Sequence, residues 1–214
     1  MTKIILVRHG QTEWNRIERF RGRADVPLNS TGLAQAEATG KKVAVTWQPA
    51  AIYSSPLSRA TDTAKAIARQ VEELQGVTLE VQAHAGLFDI DYGEWQGLTP
   101  DEARKRWPQA IDNWYNAPHL AVIPGGESLA ELRQRGLAAV AQLAEQYAGQ
   151  TIVLIGHTVI NRVILLAILG LGNERFWKLK QDTCAINVFE AEGGDYILER
   201  MNDTCHLKDV SSMA

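Results

Sequence analysis

The chain has 214 residues and a mass of 23.7 kDa, which at roughly 100–200 residues per domain is enough for a single domain. Its 22 Lys and Arg against 25 Asp and Glu leave a net charge of −3, with no basic excess to neutralise a phosphate backbone, which argues against a dedicated nucleic-acid binder. The 45% hydrophobic and 22% charged residues are globular proportions; two cysteines cannot build a disulfide framework, and no run of about 18 apolar residues is present to span a membrane.

The chain opens on MTKIILVRHG, a short apolar run followed at once by charge. That is the wrong shape for a signal peptide, so a cytoplasmic location is expected. Residues 3–7 (KIILV) form a continuous β-branched run that suits a strand buried on both faces of a parallel sheet. A helix is expected over 31–47 with Ser30 as its N-cap. A short strand follows at 51–53, then a helix over 57–74 with Ala60, Ala64, Ile67, Ala68 and Val71 on one face. The alternating TLEVQ at 78–82 reads as a strand nearer an edge.

Thr99 and Glu102 make a capping box for a helix toward Trp107, which Pro108 interrupts. Residues 89–123 hold Trp107, Trp114, Tyr115 and His119 and read as a helical insertion over one end of the sheet. A helix over 128–147 ends near Gly149; 151–155 (TIVLI) is a second buried strand; 159–169 is an apolar helix ending at Gly170. The runs 185–190 and 196–201 flank Glu192-Gly193-Gly194-Asp195 as an antiparallel hairpin, with Cys184 a small core residue at its start. The pattern predicts an α/β fold: a mostly parallel six-stranded sheet, helices on both faces, the last strand antiparallel, and the insertion over the active-site edge. All of 1–214 is read as one domain, with a C-terminal tail from about 203 to 214.

Ligands of open α/β sheets sit outside the carboxyl ends of the strands. Arg8-His9-Gly10 follows the first strand, Gly156-His157-Thr158 follows TIVLI, and Ser54-Ser55-Pro56-Leu57-Ser58-Arg59 follows the strand at 51–53. A lone His or Arg after a strand is ordinarily structural. Two of each at one edge concentrate positive charge where it is costly without an anion. A phosphoryl group fits, because Arg forks its oxygens and a helix starting at Thr158 adds N–H donors. One imidazole can then attack phosphorus, and the other, if protonated, can spread transition-state charge. HExxH, an Asp-rich loop, a P-loop and GxGxxG are all absent, so neither metal nor cofactor is expected.

Leu6-Val7-Arg8-His9-Gly10-Gln11-Thr12-Glu13-Trp14-Asn15 resembles the signature of the histidine phosphatase superfamily. Further matches run through 22–28, Gly32 with Gln35-Ala36, 53–64, 93–97, Gly125-Gly126-Glu127-Ser128 and Gly156-His157. The resemblance implies a phosphohistidine on His9, with Arg8, Arg59 and His157 around the phosphoryl group and Asn15 and the Thr158 N–H as further contacts. It also implies an acid before the GxWxG stretch, ordinarily Glu in [LI]-x-E-[IM]-x-x-G. Here Leu87-Phe88-Asp89-Ile90-Asp91-Tyr92-Gly93 puts Asp89 there, one methylene shorter, with Asp91 as the local competitor.

The short stretch after the acid is similar to the phosphatase branch, in which water takes the phosphoryl group. A cofactor-dependent phosphoglycerate mutase and a non-catalytic phospho-ligand binding protein are the alternatives. The tail Asn202-Asp203-Thr204-Cys205-His206-Leu207 resembles that of metal-independent phosphoserine phosphatases, which implies a substrate contact for His206. A second such His falls at Tyr92, a departure that leaves the small phosphomonoester open between phosphoserine, a sugar phosphate, a ribazole phosphate and a fructose bisphosphate. The insertion aromatics would roof the leaving group or serve as local core. His84 carries no evident role. No nucleic-acid or membrane partner is expected, and the exposed edge of such a sheet leaves room for a homodimer.

Overall fold

A computed structural model describes residues 1–208 and 210. The expected tail therefore lies outside the described residues at 209 and 211–214. In chain order the elements are β1 (Thr2–Arg8), a one-turn helix α1 (Glu13–Arg16), α2 (Ser30–Thr46), β2 (Ala51–Ser54), α3 (Ser58–Gln75), β3 (Val81–Ala83), α4 (Pro100–Arg106), α5 (Pro108–Asn116), α6 (Leu129–Gln146), β4 (Thr151–Gly156), α7 (Thr158–Ile168), β5 (Ile186–Glu192) and β6 (Asp195–Asp203).

The six strands form one sheet in the order β3-β2-β4-β1-β5-β6. The pairs β1–β4, β2–β4 and β2–β3 are parallel, and the closing hairpin supplies both antiparallel pairings, β1–β5 and β5–β6. The continuous apolar runs of β1 and β4 follow from burial on both faces. Ile4 and Leu6 face the side covered by α6 and α7, whereas Ile5 and Val7 face Val43, Ala64, Ile67 and Val71 of α2 and α3. At about 25 cal/mol per Å² of apolar surface, each such side chain contributes roughly 1.5–3 kcal/mol toward keeping β1 central.

Strand adjacency places the site. Arg8 pairs with Gly156 and Ser54 with Ile155, so the segments leaving β1, β4 and β2 emerge side by side at one sheet edge. Two local expectations are corrected. The N-cap of α2 is Asn29, whose Oδ1 accepts from the Gly32 N–H at 2.8 Å; its amide also donates to Gln11 Oε1, a bond Ser30 is too short to make. The edge strand begins at Val81, where pairing to Ile52 starts. Thr78 is instead drawn back to Glu72 at the end of α3, just beyond the left-handed Gly76.

The insertion forms as α4, α5 and two short 3₁₀ turns. The capping box at Thr99 and Glu102 starts α4, with Glu102 N donating to Thr99 Oγ1 and Thr99 N to Glu102 Oε2. Pro108 ends that helix and, as N1, starts the next.

The loop after β1 runs directly over the first turn of α2. A Cβ on Gly32 would sit 2.1 Å from the Gln11 carbonyl oxygen and one on Gly10 would sit 2.5 Å from the Gly32 oxygen. Both neighbours are backbone, so neither can rotate away. Gly32→Ala is expected to lower stability by about 1–3 kcal/mol, the usual cost of overpacking. Urea unfolding of the variant beside the wild type measures it, and an unchanged midpoint would show that the crossing relaxes freely.

Candidate active site

His9 and His157 meet at this edge with ring centroids 5.0 Å apart, and both are buried. His9 Nδ1 lies 2.6 Å from the Gly10 carbonyl oxygen. A carbonyl only accepts, so Nδ1 carries the proton and Nε2 presents a lone pair. On His157 the order is reversed. Its Nδ1 accepts from Arg59 Nε at 3.2 Å, so Nε2 bears the hydrogen, and that atom is buried without a partner.

Burial drives the His9 pKa well below the ordinary imidazole value, helped by His157, Arg59 and Arg8. His157 is pushed the same way by burial, then by Arg59 and Arg21. Both rings are therefore neutral at neutral pH in the unliganded pocket. His157 offers a hydrogen-bond donor there and carries no charge.

The guanidiniums are held by main-chain carbonyls. Arg59, fully buried at the start of α3, donates from Nη1 to Ala24 O (2.7 Å) and from Nη2 to Gly22 O (2.8 Å). Arg8 Nη1 donates to Gln181 O at 2.6 Å. Gln181 is itself clasped by Asn187 of β5 through two amide–amide bonds of 2.9 Å. Burial beside Arg21 and Arg162 pulls the Arg8 pKa down to about 9, and burial pulls Arg59 down to about 10. Both remain charged.

A cavity of about 430 Å³ opens from here, with Arg8, Asn15, Arg21, Asp89, Tyr92 and Thr158 among its lining residues. Six buried side-chain atoms facing this region have no partner among the described residues: Arg8 Nε, Arg21 Nε, Asp89 Oδ1, His157 Nε2, Thr158 Oγ1 and Arg162 Nε. Such a concentration of unpaired polar groups marks a place completed by a polar ligand. The N-terminus of α7 starts at Thr158 with no side-chain cap; the Ile160 N–H meets Asp89, and those of Thr158 and Val159 remain for an anion. A second cavity of about 460 Å³, beside Met1, Ala144 and Tyr196, holds no comparable cluster.

Asp89 is 2% exposed. Burial raises its pKa, against the opposing pull of Arg59 and Arg21. Asp91 is instead engaged outside the cavity: its Oδ1 accepts from the Gly93 N–H at 2.9 Å and its Oδ2 lies 3.4 Å from Arg23. Asp89 and its local competitor Asp91 are thus separated. Asn15 turns Oδ1 to the N–H and hydroxyl of Thr12 (2.9 and 2.8 Å), leaving Nδ2 as the end free for a ligand. Tyr92 packs against Phe20 and Trp114 on the cavity wall.

The structure does not bring His206 to the cavity. Its Nε2 bonds Thr39 Oγ1 on α2 at 3.0 Å, and it is absent from the lining. Trp114 is buried core that also lines the cavity, Tyr115 lines it, Trp107 is half-buried and His119 is exposed. His84 accepts from the Gly86 N–H. Three lining guanidiniums, Arg19, Arg21 and Arg162, escape the sequence reading; Arg19 is turned to Gly97 O and Glu102. The one charged side chain in the mostly apolar α7, one turn beyond Thr158, was the available signal for Arg162.

The model of the histidine phosphatase superfamily (branch 1) matches residues 4–204, and the chain belongs to that family. Among its relatives, it is 33% identical over 207 residues to phosphoserine phosphatase 1 of Hydrogenobacter thermophilus, covering 97% of this chain and 95% of that protein. It is 32% identical over 211 residues to the metal-independent phosphoserine phosphatase of Arabidopsis thaliana, covering 98% and 85%. The solved structure of Bacillus stearothermophilus YhfR superposes with a TM-score of 0.88 at 30% identity over 97% of this chain and 100% of that one.

The buried imidazoles and Asp89 carry opposite pH signatures. His9 and His157 have folded pKa values below the unfolded value of about 6.5. Their stability contribution is complete above that pH and is lost as pH falls, by about 1.4 kcal/mol per pH unit for each ring. His157→Gln is expected to halve the slope between pH 6.5 and 5 in urea unfolding. Asp89 has a raised folded pKa, so ionising it destabilises the fold as pH rises. Asp89→Asn is therefore expected to unfold at higher urea than the wild type at pH 7; a lower midpoint would contradict the assigned environment.

Proposed function

We propose that this phosphoric monoester hydrolase works through His9 Nε2 without a metal, and that its substrate is a small phosphomonoester carrying a second anionic group, with phosphoserine the first candidate. The observation that carries the reading is the Nδ1–H···O=C bond from His9 to Gly10, which fixes the tautomer needed for attack on phosphorus. In the first step the Nε2 lone pair forms a P–N bond as the ester P–O bond breaks, and Asp89 gives its proton to the departing oxygen. Arg8, Arg59, the His157 Nε2–H, Asn15 and the N-terminus of α7 share the equatorial oxygens. In the second step Asp89 takes a proton from water, the resulting hydroxide attacks phosphorus, and the P–N bond breaks to release phosphate and free His9.

Arg21 and Arg162 supply the charge for the second anion. Each lines the cavity with a buried, unpartnered Nε, and Arg162 is braced over Phe176 and Trp177 at 5.0 and 5.1 Å. The phosphoryl pocket is already furnished with two other guanidiniums. Glu18 and Asp182 on the same lining suit an ammonium. Tyr92 is assigned to the wall against the leaving group. The names of the two relatives agree with phosphoserine.

Two experiments test this. His9→Ala should lower turnover on the order of 10⁴-fold or more, as loss of a covalent nucleophile does, with EDTA harmless to the wild type and vanadate inhibitory; activity surviving His9→Ala would refute it. Arg162→Met should cut kcat/KM for phosphoserine by roughly 10–100-fold, the worth of a charged hydrogen bond. The same variant should leave phosphoethanolamine, which lacks the carboxylate, little changed; an equal fall on both would remove the second-anion subsite.

A further inference from the structure

The Gly125-Gly126-Glu127-Ser128 motif takes no part in the chemistry above, yet it is built into the segment that carries Asp89. Arg135, on the second turn of α6, spends every one of its five N–H donors within this region. Nη1 donates to Gly86 O (3.0 Å) and Phe88 O (2.8 Å), and Nη2 to Asp89 O (2.9 Å). Nε and Nη2 donate to the two Glu127 carboxylate oxygens at 2.6 and 2.9 Å. Three carbonyls in a four-residue stretch thus converge on one planar fork, a geometry that the three-donor point charge of a lysine cannot reproduce.

Glu127 completes the tie from the other side. Its N–H donates to Asp91 O at 2.9 Å, and Oε2 lies 3.4 Å from the Asp91 N–H. The two stretches lie so close that a Cβ on Gly126 would fall 2.5 Å from Asp91 O, and one on Gly93 would fall 2.3 Å from Pro124 O. Glu94 N–H closes the seam on Pro124 O at 2.9 Å. The backbone on both sides of Asp89 is therefore fastened, while its carboxyl, with Oδ1 unpartnered, is met by the backbone N–H groups of Ile90 and Ile160. Because the Arg135 charge is matched by Glu127, the pair is suited to fixing position more than to adding field to the pocket.

We propose that Arg135, locked by Glu127, is a positioning residue for the general acid: it sets where the Asp89 carboxyl stands relative to the leaving oxygen. The proposal rests on the phosphatase reading and on Asp89 as the acid. Its consequence is specific to leaving groups. An ester whose leaving oxygen needs a proton requires a well-placed Asp89, whereas p-nitrophenolate departs without one. The constant kcat/KM reports events up to that departure and is not affected by the later hydrolysis of phosphohistidine.

The test compares kcat/KM for phenyl phosphate and p-nitrophenyl phosphate, which are close in shape, in wild type, Arg135→Lys, Glu127→Gln and Asp89→Asn, with thermal unfolding of each. Arg135→Lys is expected to lose about 10–100-fold on phenyl phosphate, the scale of an ångström-sized misplacement, and less than about 3-fold on p-nitrophenyl phosphate. Glu127→Gln should move in the same direction by a smaller factor, and Asp89→Asn should show the same selectivity at full size. Equal losses on both esters, or none on either, would overturn the positioning role. Should Arg135→Lys fail to fold, Glu127→Gln decides by the same ratio. The phosphatase reading fails separately, if wild-type turnover of p-nitrophenyl phosphate survives His9→Ala.

Discussion

The structure is organised around positive charge kept in a dry place. Arg8 and Arg59 are buried at the carboxyl edge of the sheet, where an unpaired charge is expensive. Main-chain carbonyls lessen that cost: Gln181 O serves Arg8, and Gly22 O and Ala24 O serve Arg59. Carbonyls lend partial negative charge without cancelling the cation, so the pocket still attracts a dianion. The same field and the same desolvation keep the two imidazoles neutral. A nucleophile with a free lone pair and an electrophilic surround therefore arise from one cause.

Much of the remaining architecture supports this edge. The loop that gives Arg59 its two carbonyls is anchored by Asp25, whose Oδ1 accepts from the Ser58 N–H at 2.8 Å and so serves the start of α3 from outside the helix. Asn187 stands in β5 among apolar neighbours, binds Leu6 O and Gln181, and accepts from the Asn202 N–H. That one buried amide joins three segments beside Arg8. Asp89 shows the cost of function most directly. Its burial opposes ionisation while Arg59 and Arg21 favour it, and a carboxyl balanced in that way can both give and take a proton.

The central strands were legible in the sequence because their apolar runs are continuous, and burial on both faces demands that. The four pocket side chains were legible because parallel strands deliver their following residues to one edge. Other features depend on contacts between segments distant in sequence, which periodicity does not encode. The cap on α2 moved to Asn29 because Gln11 offers it a partner. Residues 78–80 stayed out of the edge strand because Glu72 holds Thr78. Arg21 and Arg162 match no motif, and only the fold turns them toward one cavity. His206 was expected at the substrate, and the bond to Thr39 places it against α2.

The central claim concerns one proton. If the pocket works as described, His9 is a neutral imidazole with hydrogen on Nδ1, kept so by burial and by the His157, Arg59, Arg8 and Arg21 groups around it. Nitrogen-15 NMR of labelled protein, with His9 assigned by comparison with His9→Ala, reads this without turnover or substrate. The account predicts a protonated Nδ1 and a bare Nε2 at pH 7, unchanged down to pH 6. An imidazolium signal, or the tautomer with hydrogen on Nε2, would contradict it.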